Sequence, residues 1–308
     1  MDRALMAVLG IDLGATKLLA LGEERGARFR LRRDSGRGLG PGAGLAAIVE
    51  VVDRAREQLA VEAVGVGFPG LVDHARGLVR SSVMLDGWSE VPLAALLEER
   101  LGIPCAVDND VNAAALWEQR CRGARDMLFV AVGTGIGGAL VLDGRLHRGA
   151  GGLAGEIGHV RVSRDGPPCD CGRRGCVNRH ASGAAIEAAA GLSPGALRDG
   201  AAWSDQLERA LEVAAAALGA AIGDALNLLD VPLVVLGGGV AELGPSYAAA
   251  VAASARRECF REIGEACSFE LARGGYDGAA RGAADLAAQR LAAADQPDSS
   301  ASSPSAIA

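Results

Sequence analysis

Three cysteines and a histidine crowd into CDCGRRGCVNRH, residues 169–180, in a chain with seven cysteines in all. The spacing is Cys169-x-Cys171-x4-Cys176, and His159 stands ten residues before Cys169 in GEIGHV. Three thiolates and one imidazole make a closed tetrahedral set for Zn2+ with no position left for water, so such an ion would be structural. His180 competes with His159 for the fourth place. A redox pair would favour CxxC near a βαβ unit, and this is CxC. An odd, unevenly spaced cysteine set fits a reducing cytoplasm better than a disulfide framework. Cys105, Cys121, Cys259 and Cys267 stand singly in apolar or helical contexts and read as packing residues. His74 and His147 read as loop or surface histidines.

A second set of residues suits phosphate chemistry. In IDLGATK (11–17), Asp12 stands at a strand end beside Gly14, Thr16 and Lys17. The carboxylate can orient a magnesium-bound water while Thr16 and Lys17 reach a transferred phosphate. Asp and Gly also suit a plain hairpin turn, so the segment alone is weak. Its plan recurs 121 positions later in LFVAVGTGIGGALVL, where apolar runs flank a turn containing Gly133, Thr134, Gly135 and Gly137, with Gly14 aligned to Gly135. GTGIGG joins two strands and lacks the helix that a dinucleotide fingerprint requires. Two Gly-Thr hairpins suggest a duplicated domain with a nucleotide between the halves. Gly237, Gly238 and Gly239 follow an apolar strand and permit close approach to an adenine or ribose. DND (108–110) precedes a helix, where Asp110 suits a general base; Asp and Asn are also preferred N-caps, and spacing alone favours that reading.

The elements that must position these residues alternate. Helical spacing is seen at about 43–60, near 92–101, after Asp110, at Leu207 to Leu226 and at about 279–293; apolar strands are read at 61–72, 103–110 and 231–240. Strands feeding glycine loops between helices make an α/β protein. At 308 residues it has room for two domains, and with aromatics at 3% the core must be aliphatic. The net charge of −7 disfavours a general nucleic-acid binder, while backbone amides still permit an anionic ligand. The apolar run VAAAALGAAIG is eleven residues long between Glu212 and Asp224, too short to span a bilayer. No cleavable signal precedes the first strand, so a cytoplasmic location is expected.

Taken together, IDLGATK, GFPGLVD (67–73), DNDVNAAAL (108–116), VGTGIGG (132–138), GEIGH (155–159), CDCGRRGC (169–176) and VVLGGG (234–239) resemble the ROK family (repressors, open reading frames and kinases) from about residue 7 to 290. The resemblance implies a duplicated actin-like ATPase (ribonuclease H-like) fold, two domains around a nucleotide and sugar cleft, with a structural zinc motif. It implies a small domain of residues 1–110 plus about 279–293 and a large domain of 111–278; the Ser/Pro/Asp-rich composition of the tail, 294–308, reads as disordered. It also implies a glucokinase-like reaction with ATP and Mg2+. Asp110 would take the proton from the sugar C6 hydroxyl. Gly70, Asn109, Glu156, His159 and Asn178 would face the sugar, and the two Gly-Thr hairpins and Gly237 to Gly239 would hold the nucleotide. His159 would serve twice, with one ring nitrogen on zinc and the other toward the sugar, and a homodimer or homotetramer is expected.

Glucose-phosphorylating members usually carry Glu two residues after the last zinc cysteine. Asn178 stands there, one methylene shorter and uncharged, which predicts weaker glucose binding. An N-acetylhexosamine kinase, a fructokinase and a sugar-sensing pseudokinase are the alternatives. Family repressors carry a winged-helix domain ahead of the first hairpin, and none is expected here.

Overall fold

The computed structural model describes residues 7–14, 17–34, 39–243 and 245–294; Thr16 and the tail from 295 onward lie outside the described residues. The first half runs β1 (Ala7–Leu13), β2 (Lys17–Glu24), β3 (Ala27–Asp34), α1 (Pro41–Arg56), β4 (Val61–Phe68), β5 (Leu71–Asp73), β6 (Leu78–Ser81), β7 (Ser89–Val91), α2 (Leu93–Leu101) and β8 (Cys105–Asn109), then α3 (Asp110–Arg122). The second runs β9 (Met127–Val132), β10 (Ile136–Leu142), β11 (Arg145–His147), α4 (Asn178–Ala181), α5 (Gly183–Ala189), α6 (Asp205–Leu229), β12 (Leu233–Gly237), α7 (Pro245–Glu258), α8 (Arg261–Ala266), β13 (Ser268–Leu271) and α9 (Gly278–Ala294).

The duplication lies in the sheets. One is ordered β3-β2-β1-β4-β8 and the other β11-β10-β9-β12-β13. In each, three antiparallel strands are extended by two parallel ones. The equivalent hairpins are 119 residues apart, as Leu13 to Val132 and Lys17 to Ile136 show, so Gly14 pairs with Gly133 and not with Gly135. A glycine-rich run tolerates several ungapped alignments, and only the point where the strand ladder stops selects one. Strands β5, β6 and β7 form a separate small sheet.

Close backbone approach compensates for the scarcity of aromatics. α9 lies on β1 and β4 where Gly10 and Gly65 face it; an added Cβ would fall 1.9 Å from the Ala280 carbonyl oxygen and 1.8 Å from that of Ala283. Gly282 of α9 meets α3 as tightly, with its hypothetical Cβ 1.6 Å from the Ala113 oxygen. A side chain at any of the three would push a helix off its seat. The apolar run read as eleven residues belongs to the 25-residue helix α6, which is long and apolar enough to cross a membrane by length and composition alone. Half of its apolar window is buried, and Leu207, Leu211, Ala214, Leu218, Ile222 and Leu226 form a continuous core stripe, as in a core helix of a globular domain.

Candidate active site

Parallel pairing brings the two predicted carboxylates together. β4 separates β1 from β8, with Asp12 opposite Gly67 and Gly67 opposite Asp108. Gly67 faces the first turn of α3, where a Cβ would make ordinary contact with the Asp110 Cα at 3.4 Å. Asp12 therefore lies near the carboxyl end of β1, and Asp110 just past the carboxyl end of β8, on either side of β4, at the sheet edge where open α/β sheets hold ligands. The equivalent ends of β9 and β12 in the second sheet carry Gly133 to Gly135 and Gly237 to Gly239. A cavity of about 170 Å³ is lined by Asp12, Asp110, Gly237, Gly238 and Tyr276 among others. A larger one, about 310 Å³, opens at the opposite ends of β9 and β12 beside Arg122, Arg125 and Arg273, and holds none of the predicted residues.

Local geometry explains why these residues fold so. Asn109 caps α3, its Oδ1 accepting from the Val111 and Asn112 amides at 2.9 and 3.2 Å, while its Nδ2 donates to the Gly70 carbonyl at 3.1 Å. The cap of α3 is therefore Asn109 rather than Asp110, which is the first helical residue and is left free of the capping role. In the hairpin turns the Gly14 amide donates to the Lys17 carbonyl and the Gly133 amide to the Gly135 carbonyl, both at 2.8 Å. Thr134 and Gly135 are exposed at the tip of their turn. Gly137 lets β10 press on the first turn of α3, where an added Cβ would stand 2.7 Å from Val111 Cγ2. Gly238 adopts φ 85°, and a Cβ there would fall 2.5 Å from the Val132 carbonyl oxygen.

The cleft is electrostatically tense. Burial, then the charge of Asp110, raises Asp12 to about 8. Burial raises Asp110 to about 6 against the opposing Val111 amide, with the Glu156 charge adding to the rise. For Asp12 the folded-state value exceeds the unfolded one, so the folded chain binds more protons between about pH 4 and 8 and stability falls as pH rises through that window. Asp12→Asn is therefore expected to raise the melting temperature of the ligand-free protein at pH 8 by a few degrees, at roughly 2–4 °C per kcal/mol. The gain should shrink toward pH 4. A lower melting temperature at pH 8, read by calorimetry, would show that Asp12 is not held against its charge.

The thiols form the expected cluster. His159 Nδ1 lies 3.6 Å from Cys169 Sγ, Cys171 Sγ lies 3.6 Å from Cys176 Sγ, and one ligand atom from each of the four residues falls within 4.8 Å of the others. Tetrahedral zinc, with Zn–S about 2.3 Å and Zn–N about 2.0–2.1 Å, requires edges of roughly 3.5–3.8 Å. The residues fit the ion. His180, open as a rival on spacing, is not part of the group. The Arg173 backbone amide, then its guanidinium, lowers the Cys171 thiol to about 6, which favours the thiolate that a metal needs. The other ring nitrogen of His159 points to Glu156, with Nε2 3.9 Å from the carboxylate.

Some readings change. Asn178 Oδ1, the expected acceptor for a sugar hydroxyl, accepts the Ile136 amide at 2.8 Å and so ties the zinc segment to the second hairpin. His74 is no free surface residue: its Nδ1 lies 2.9 Å from the Val107 carbonyl oxygen. Cys105, Cys259 and Cys267 are buried as packing residues, but Cys121 is exposed. Spacing gave no sign of Tyr276, whose hydroxyl would lie 3.3 Å from a Cβ at Gly239, or of Arg148, which pairs with Asp108.

Comparison with known proteins agrees with this geometry. The model of the ROK family matches residues 8–290. An N-acetylmannosamine kinase of Citrobacter koseri is 36% identical over 256 residues, covering 80% of this chain and 87% of the relative. The crystal structure of a ROK family glucokinase from Streptomyces griseus in complex with glucose and AMPPNP superposes with a TM-score of 0.78 at 31% identity, covering 92% of this chain and 99% of that one. A ROK hexokinase from Thermus thermophilus gives 0.78 at 32%, covering 94% and 100%. Matched by the family's model over nearly its whole length and by relatives above 30% identity along most of theirs, the chain belongs to the ROK family.

Proposed function

We propose that this chain is an ATP-dependent hexose kinase that transfers the γ-phosphate of ATP to a sugar hydroxyl, with glucose to glucose 6-phosphate as the leading reaction. The observation that carries the reading is the shared cavity of Asp12, Asp110 and the Gly237–Gly238 turn, in a chain whose relatives are sugar kinases. Residues 1–110 with the last helix form one lobe and 111–278 the other, and closing them over both substrates excludes water.

Asp110 accepts the proton as the sugar C6 oxygen forms a bond to the γ-phosphorus and the bond to the departing ADP oxygen breaks. A carboxylate raised to about 6 stays largely ionised at pH 7 yet is more basic than an ordinary one. Gly70 orients Asn109, which with Glu156 and the free nitrogen of His159 holds sugar hydroxyls. The amides of Gly133 to Gly135 and Gly137, with Gly14, Thr16 and Lys17, cradle the phosphates, and Gly237 to Gly239 admit the adenosine. Asp12 would hold Mg2+ through its water, and the ion, when bound, neutralises phosphate charge. Zinc on Cys169, Cys171, Cys176 and His159 Nδ1 would fix the tautomer and orientation of the imidazole.

The hydrogen bond of Asn178 to the Ile136 amide favours a second reading. Asn178 presents no charged acceptor to the sugar, and one lone pair of its oxygen is already spent on the Ile136 amide, so glucose loses more here than an N-acetylhexosamine would. A coupled assay on glucose, mannose, fructose, N-acetylglucosamine and N-acetylmannosamine with ATP and magnesium decides between them. If none is phosphorylated while a sugar still raises the melting temperature, the kinase reading falls and a sugar sensor stands. Asn178→Ala is expected to raise the KM for ATP about 2–10-fold, the worth of one net hydrogen bond at the phosphate hairpin; an unchanged KM would detach Asn178 from the nucleotide.

A further inference from the structure

One residue before Asn109, a second carboxylate is sealed from solvent. Asp108 is 1% exposed. Its Oδ1 accepts from the Asn109 amide at 2.8 Å and from Asn112 Nδ2 at 2.9 Å. Its Oδ2 accepts from Nε and Nη2 of Arg148, each at 2.7 Å, and lies 3.5 Å from His74 Nδ1. That imidazole nitrogen stands 2.9 Å from the Val107 carbonyl oxygen. A carbonyl can only accept, so Nδ1 carries the proton.

The pair spans the two halves. Asp108 is the penultimate residue of β8, and Arg148 follows β11 in the second sheet, forty positions later. Arg148 also closes the base of the loop that leads to Glu156 and His159, because its carbonyl accepts the Ala154 amide at 3.0 Å. At one end, then, the ion pair holds the Asn109 backbone, and with it the first turn of α3 that Asn109 caps. At the other end it anchors the loop that carries the opposing sugar contacts. No other fully charged side chain touches the Asp108 carboxylate among the described residues.

We infer that the Asp108–Arg148 pair is a brace that registers Asp110 and Asn109 against Glu156 and His159; both are positioning residues for phosphoryl transfer and neither touches substrate. A pair of this kind that merely stabilised the fold would behave differently. Removing Arg148 alone strands a buried anion and is destabilising on any account. Removing both charges relieves that strain, so a structural role predicts that stability and activity return together. A brace predicts that stability returns and activity does not, because the halves have lost their common register and small misplacements cost rate steeply.

The test is a cycle of Arg148→Met, Asp108→Asn and the double variant, each followed by melting temperature and steady-state kinetics, with Arg148→Lys beside them. The double variant is expected to recover most of the melting temperature lost in Arg148→Met while its kcat/KM for the hexose stays about ten-fold or more below wild type. Its KM for ATP should stay within about two-fold. Arg148→Lys keeps the charge and should recover part of the kcat. A double variant that regains both stability and hexose kcat/KM overturns the brace. The inference rests on the kinase reading, so hexose titration calorimetry is run in parallel. If the wild type binds hexose without phosphorylating it, the kinase reading alone fails, and the brace is judged by the same ten-fold loss in hexose affinity. If the wild type binds no hexose, both fail.

Discussion

Replacing Asp110 with Asn is expected to lower kcat about 10²–10⁴-fold while the KM for hexose and for ATP changes only a few-fold. Asn matches Asp in shape, and its side-chain oxygen can still accept the Val111 amide, which Asp110 Oδ1 holds at 2.9 Å. The first turn of α3 and the cap by Asn109 therefore survive. What is lost is the proton acceptor. The pH dependence identifies that role more specifically than the rate. A base held at about 6 must be ionised to act, so wild-type kcat/KM should rise with pH through about 6 and then level. The residual rate of Asp110→Asn should lack that limb. A variant that retains the limb, or loses binding in step with rate, would assign Asp110 to sugar binding and leave the base elsewhere. The nearby Glu156, whose charge helps raise Asp110, provides a cross-check: Glu156→Gln should move the wild-type limb to lower pH.

Stripping the metal is expected to produce the second large effect. The purified chain should carry one zinc per polypeptide by elemental analysis, and chelation or Cys176→Ser should lower the melting temperature and raise the hexose KM by about 10–100-fold, the range seen when partners that orient metal-bound histidines are removed. Cys176 is fully buried, and the segment around it has little other regular structure: isolated bridges pair Arg161 with Cys176 and Pro168 with Arg174. A zinc ion on the four ligands, His159 to Cys176, would add its bonds to the few backbone hydrogen bonds that cross this loop. Its release frees the His159 ring that faces Glu156, and also Asn178, which holds the Ile136 amide. The KM for ATP should consequently rise as well, by the smaller factor expected for Asn178→Ala. A metal-free chain that keeps its melting temperature and its hexose affinity would make the four ligands a bystander cluster.

Features written in neighbouring residues are legible in the sequence itself. Three cysteines within eight positions declare a ligand set because few other uses need that density, and the strand–glycine–strand pattern declares a hairpin because each half follows a local period. The helix at Leu207 to Leu226 was visible in its spacing, although its full length of 25 residues was not, since its polar ends obey no apolar period. The small sheet of β5, β6 and β7 escaped notice because three- and four-residue strands leave too few alternations to read. The hairpin repeat is legible too, but its phase is not: a glycine-rich turn fits offsets of 119 and 121 equally until the strand ends are known.

By itself, then, the sequence determined the α/β class, the two glycine-turn hairpins, and a cysteine cluster of metal-ligand type with two candidate histidines. Each of these depends on residues close in the chain, where spacing and stereochemistry act directly. The tertiary structure alone decided which histidine joins the thiols, that Asn178 bonds to the Ile136 amide, that Tyr276 stands over Gly239, and that Arg148 reaches Asp108. The reason is physical. These contacts join segments tens of residues apart, and a hydrogen bond or buried ion pair between them forms only after two sheets have packed and excluded water.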